Sequence, residues 1–131
     1  MKDARSKLLR SHLQTVSYFA GLDGVALEAL ATLAAWYEYS PGAIVFEEGE
    51  PSRGLYGVQD GWVKVLKLSS DGREQVLRYL GPGDVFNEIG IFGEHPNPAT
   101  AIALEATELW LLPRTVLQPV LLAHPGMMLR M

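Results

Sequence analysis

From Trp36 onward the chain is cut into short apolar runs by turn residues, and this punctuation constrains the fold more than any other feature. Eight runs qualify as strands: Trp36–Tyr39, Ala43–Phe46, Gly54–Gln59, Gly61–Leu68, Glu74–Leu80, Val85–Phe86, Ala99–Leu104 and Glu108–Leu112. Between them stand Pro41-Gly42, Gly49, Asp60-Gly61, Asp71-Gly72 and Gly81-Pro82-Gly83. These residues supply the positive or preset φ that tight connections need. Together the runs predict a mainly β fold with flanking helices, a double-sheet jelly roll. Alternation is imperfect around Leu66-Lys67-Leu68.

The segments before and after read as helices. Leu9, Leu13 and Val16 fall on one face of a first helix, whose Lys2, Arg5, Lys7 and Arg10 are spread around a solvated surface. Asp23 caps a second helix, in which Leu27, Leu30, Ala31 and Ala34 form one stripe. Its other face, with Ala26, Glu28, Ala29, Thr32 and Ala35, has no Arg or Lys for a DNA groove, so the pair is not a helix-turn-helix. Arg114 to Ala123 forms a third helix, with Pro119 expected near its first turn. After His124-Pro125, Gly126–Met131 begins a further apolar helical segment, expected to leave Met127, Met128, Leu129 and Met131 without a partner.

One stretch, Val85–Ala103, carries chemistry. Val85-Phe86 ends a strand, Asn87-Glu88 leads into six or seven residues able to form a short helix, Pro96 and Pro98 break it, and a strand resumes at Ala99. The helix start at Asn87–Gly90 presents free N–H groups and a positive dipole end, which favour an anion. Glu88 repels that anion but suits a hydroxyl beside it.

Here the sequence resembles a known family. Phe86-Asn87-Glu88-Ile89-Gly90, followed by Asn97-Pro98-Ala99-Thr100, is similar to the phosphate-binding cassette of cyclic nucleotide-binding domains, with its Phe-Gly-Glu-Leu-Ala and Pro-Arg-Ala-Ala-Thr pattern. Gly54-Leu55-Tyr56, Val58, Gly61, Val63, Val65, the Asp71-Gly72-Arg73-Glu74 turn and Leu80-Gly81-Pro82-Gly83-Asp84-Val85-Phe86 extend the match to bacterial Crp/Fnr regulators. The resemblance runs from about Tyr18 to the C-terminus. It implies a single sensor domain over residues 1–131, with residues 18–113 as jelly roll and preceding helix, and 114–131 as the start of a longer helix.

It also implies roles. Glu88 would take the ribose hydroxyl; the amides of Ile89 and Gly90 and those around Ala99 and Thr100 would meet the phosphate. Val65 and Leu77, with the backbone near Arg78, would line the base side, and Arg78 is a candidate substitute cation. Two positions depart from the pattern. Asn87 stands for the cassette glycine, and Asn97, or Pro98 with the loop shifted by one, stands for the arginine that pairs with the cyclic phosphate. A neutral amide in place of a guanidinium costs about tenfold to a hundredfold in affinity. Pro98 also removes an amide donor.

The expected function is effector sensing in a Crp/Fnr-type transcription regulator, with cyclic AMP or cyclic GMP as effector. The full-length regulator is expected to be a homodimer that reaches DNA through a domain outside these residues. The alternative is a stand-alone, ligand-free fold that docks a partner protein. With 131 residues, a net charge of −4 and 20% charged residues, the segment has room for one domain and no basic surface for nucleic acid. Lacking cysteine, it has no disulfide, thiolate metal site or cysteine-bound iron–sulfur cluster. It has no apolar run long enough for a membrane span, so a cytoplasmic location is expected. His12, His95 and His124 do not follow a cupin metal pattern, although His95, in the cassette loop, is a conceivable haem ligand. No nucleophile, base and oxyanion donor come together, and no enzyme is expected.

Overall fold

The computed structural model describes residues 2–88 and 95–130. Among them, eight strands make two antiparallel sheets: β1 (Ala35–Tyr39), β2 (Ile44–Phe46), β3 (Gly54–Asp60), β4 (Val63–Leu68), β5 (Glu74–Leu80), β6 (Val85–Phe86), β7 (Thr100–Ala103) and β8 (Thr107–Pro113). One sheet runs β1-β8-β3-β6 and the other β2-β7-β4-β5, the jelly roll expected from the turn pattern. Strand boundaries fall within one or two residues of the predicted ones.

Alternation along β8 explains how the layers assemble. Leu109 and Leu111 point between the sheets, where they meet Phe46, Tyr56, Val58, Val63, Leu80, Phe86 and Ala101. Trp110 and Leu112 point the other way, into a second core built with the helices. β8 is thus apolar on both faces because both faces are covered. Trp110 pairs with Gly57 on β3, and a Cβ at Gly57 would stand 2.0 Å from the indole ring. The glycine is there to let the indole lie flat on the strand.

Helix α1 (Lys2–Leu13) and helix α2 (Gly24–Leu33) cover that outer face. Leu9, Leu13 and Val16 are buried, as are Leu27, Leu30 and Ala31, and the Asp23 carboxylate accepts from the Ala26 amide at 2.8 Å. Helix α3 (Arg114–Ala123) buries Leu117 and Leu121 in the same core. Pro119 sits in its interior rather than its first turn, and the helix continues through it. The last segment also departs from expectation: Pro125–Arg130 is a 3-10 turn, and Met127 is 1% exposed. It packs against the 3-10 turn Ser17–Phe19, so the helical layer supplies the partner that the sequence did not reveal.

A polar clasp fixes the chain where β6 ends. Asn87 has φ +66°, a left-handed conformation that Asn tolerates far better than a branched residue. Its Nδ2 donates to Ser52 Oγ at 3.0 Å and to Asn97 Oδ1 at 3.1 Å. Asn97 Nδ2 in turn donates to the Glu47 carbonyl at 3.1 Å. The Asn97 backbone closes the ladder, its amide donating to Glu50 O and its carbonyl accepting from Gly49 N. With every group paired, Asn97 is only 3% exposed.

Two substitutions test these constraints. Gly57→Ala is expected to cost about 1–3 kcal/mol in denaturant unfolding, because either the indole or the strand must move. At residue 87 the expected stability order is Asn, then Gly, then Ala. Asn87→Gly loses the two side-chain hydrogen bonds, about 1–2 kcal/mol, and Asn87→Ala adds about 1 kcal/mol of left-handed strain.

Candidate functional site

The open end of the jelly roll leaves a cleft of about 250 Å³ between the β4-β5 hairpin and the segments that follow β6 and precede β7. Its walls are Phe46, Val65, Lys67, Leu77, Arg78, Phe86, Asn87, Glu88, Pro98 and Ala99. Phe46 and Phe86 belong to an aromatic cluster with Tyr56, in which Tyr56 and Phe86 stack at 5.4 Å and 22°. This cluster gives the cleft a fixed apolar floor. Burial pushes the Tyr56 phenol up to about 12, so it stays protonated and neutral beneath the site.

The β4-β5 wall owes its form to a register shift. Val65 faces Arg78, but the next residue, Leu66, faces Val76, so Leu77 is an extra residue in β5. Such a bulge lets two successive side chains serve the same face. Leu77 and Arg78 accordingly both line the cleft, as strict alternation forbids. The imperfect alternation expected at Leu66-Lys67-Leu68 lies across from this bulge.

The opposite wall carries the carboxylate. Glu88 is half-buried at the cleft margin. Below it is Tyr18, on the Ser17–Phe19 turn, whose phenol is raised above its ordinary range first by burial and then by the nearby negative Glu88. Glu88 thus lines the cleft and acts electrostatically on the helical layer through Tyr18. Chemically, the cleft combines an apolar slot, one carboxylate for hydroxyl donors and two cations, Lys67 and Arg78, for an anion.

Of the residues singled out in the sequence, Val65, Leu77, Arg78, Asn87, Glu88, Pro98 and Ala99 line this cleft. Ile89 and Gly90, with the short helix expected there, lie outside the described residues. Asn97 and Thr100 do not reach the cleft. The Asn97 side chain is consumed by the clasp, and it turns toward Glu47 and Asn87 rather than toward a ligand. Thr100 faces the outer side of β7, where its hydroxyl accepts from the Glu48 amide at 2.9 Å, while Ala101 faces inward. His95 is exposed and not part of the cleft lining, so the haem-ligand reading gains no support. Among the described residues no three His, Cys, Asp or Glu side chains gather as a metal site. Lys67 was missed. Its signal was present in the two-residue period that carries Val63 and Val65 inward and must carry Lys67 with them.

With this geometry in hand, the comparisons are consistent with one another. Residues 36–124 match the family model of the cyclic nucleotide-binding domain. The CRP-like cAMP-activated global transcriptional regulator of Mycobacterium tuberculosis is 37% identical over 97 residues, which are 74% of this chain and 42% of that protein. The chain thus spans well under half the length of that curated relative. Among solved structures, the sensor domain of the transcriptional regulator DNR from Pseudomonas aeruginosa superposes with a TM-score of 0.85 at 27% identity, over 95% of this chain and 83% of that one. The N-terminal domain of a transcriptional regulator from Streptomyces coelicolor A3(2) does so with 0.77 at 33% identity, over 91% and 83%. In sequence and in overall fold, the chain belongs to the cyclic nucleotide-binding domain family, in the form found in Crp/Fnr-type regulators.

Proposed function

We propose that this domain senses a cyclic nucleoside monophosphate, cyclic AMP or cyclic GMP, on behalf of a Crp/Fnr-type transcription regulator. One observation carries the reading: Glu88 and the Pro98-Ala99 segment close the same cleft that Phe46, Val65, Leu77 and Phe86 line with apolar surface. A cyclic nucleotide presents a flat, largely apolar base, a sugar hydroxyl and a singly charged cyclic phosphate. The apolar slot accommodates the base, Glu88 accepts from the hydroxyl, and the phosphate falls at the Pro98-Ala99 end of the cleft, the end to which the family pattern assigns it. The name of the Mycobacterium tuberculosis relative, a cAMP-activated regulator, supports the same assignment.

The route out of the cleft follows Glu88. Tyr18 lies within the electrostatic reach of Glu88, and the Ser17–Phe19 turn packs on Pro125–Arg130. A ligand that draws Glu88 toward its ribose changes what Tyr18 meets, so two arrangements of the helical layer bind the ligand unequally. That inequality is the condition for a population shift. In the whole regulator the shift would be read by a homodimer and its DNA-binding domains, in the cytoplasm and without chemistry on the effector.

A second reading, a ligand-free fold serving as a protein-interaction module, draws on the clasp. Asn97 is spent on structure and Pro98 offers neither charge nor amide hydrogen, so the cassette loop itself brings no cation to an anion. Calorimetric titration with cyclic AMP and cyclic GMP, with 5′-AMP as control, separates the two. The sensor reading expects micromolar binding of a cyclic nucleotide that Glu88→Ala weakens by about tenfold to a hundredfold through loss of charge-assisted hydrogen bonds. Absence of heat at millimolar ligand would leave the interaction module standing.

A further inference from the structure

The cassette loop lacks a cation, but the strand next to it does not. β4 and β7 pair with Val65 opposite Ala101 and Leu66 opposite Thr100. The paired register ends there, and Lys67 and Ala99 are the next residues on the two chains. Lys67 and Ala99 both line the cleft, together with Pro98. Neighbouring strands are separated by roughly 4.8 Å, a distance that a four-carbon lysine stem spans with ease. Among the described residues, Lys67 is exposed and has no hydrogen bond or ion pair holding it elsewhere. By contrast, the other lysine of β4, Lys64, is already paired with Glu74 at 2.9 Å on the outer face.

We infer that Lys67 supplies the positive charge for the ligand's phosphate, reaching across from β4 to the Pro98-Ala99 segment. This rests on the cyclic-nucleotide reading of the cleft and adds to it a residue that determines ligand preference. Arg78 does not serve the same end of the cleft. It stands opposite Val65 on β5, one strand further from β7 and one pleat away from Lys67, which places it beside the base or at the mouth. The cleft therefore has its charges in order: Glu88 at the sugar, Lys67 at the phosphate and Arg78 on the far wall.

A lysine in this place behaves differently from a loop arginine. A guanidinium grips a phosphate with a rigid two-pronged fork, whereas an ammonium is a mobile point charge that tolerates several phosphate positions. Lys67 should thus secure affinity while discriminating less between cyclic phosphates held in different orientations.

The test is calorimetry with cyclic AMP on the wild-type chain and on Lys67→Met, Lys67→Arg, Arg78→Met and the double variant Lys67→Met with Pro98→Arg. Methionine keeps most of the stem and removes the charge at an exposed position, and a thermal melt of each variant verifies that the fold is intact. The expected result is a loss of about tenfold to a hundredfold in Lys67→Met, retention in Lys67→Arg and a smaller effect in Arg78→Met. Restoration by Pro98→Arg is expected too, because the new guanidinium would enter the same space from the loop. A merely structural role for Lys67 would not be rescued by a cation placed on the loop. Wild-type binding that is unchanged in Lys67→Met overturns the role of Lys67 and leaves the sensor reading intact. Failure of the wild-type chain to bind cyclic AMP or cyclic GMP at millimolar concentration overturns that reading and the inference with it.

Discussion

The domain depends on one strand being buried on both faces. β8 contributes Leu109 and Leu111 to the core between the sheets and Trp110 and Leu112 to the core under the helices. Burying four large side chains in succession contributes on the order of 6–12 kcal/mol, comparable with the whole net stability of a domain this size. The contact that makes the double burial possible is the indole of Trp110 against the bare strand at Gly57. Through it, the sheet that ends in β6, and with β6 the start of the cassette, is held between two packed layers. The cleft is then a by-product of how the second sheet meets the first. Beyond Phe46 and Phe86 the space has apolar walls, with Lys67, Arg78, Asn87 and Glu88 supplying polar groups.

Much of this could be read from the residues in order. Turn residues marked strand ends, helical spacing marked the buried stripe of α2, and Asp23 marked its start. These signals are local, and local geometry decides them. What could not be read depends on partners far apart in the chain. The bulge at Leu77 exists only relative to β4, so no inspection of Glu74–Leu80 alone reveals it. Met127 seemed exposed because its partner turn lies over a hundred residues away, at Ser17–Phe19.

The site shows the same division. Glu88 could be placed at the cleft from the sequence because it stands in a recognisable pattern directly after β6. Asn97 was placed at the ligand because the pattern has a ligand-binding arginine near that point. The structure instead gives it to Glu47 and Asn87, a network spanning about fifty residues that leaves no trace in the spacing. Lys67 went unread for the opposite reason. Its alternation placed it inward, but a charged residue at an inward position near a strand end is easily taken for one that turns out to solvent. Only the pairing with β7 shows what lies beside it.

The bulge in β5 has a consequence beyond the cleft. β5 is the outermost strand of its sheet, and Val76, Leu77 and Tyr79 are all large, apolar and at least a third exposed. A regular strand of that composition would offer an open row of amides and carbonyls on which the strand of a second molecule could extend the sheet. The extra residue interrupts the row, and Arg78 and the Lys64–Glu74 ion pair add charges that a new strand would have to accommodate. The irregularity that turns two side chains toward the cleft therefore also makes this edge a poorer template for an added strand. A variant regularised at Leu77 for greater stability would trade one wall of the cleft for an aggregation-prone edge.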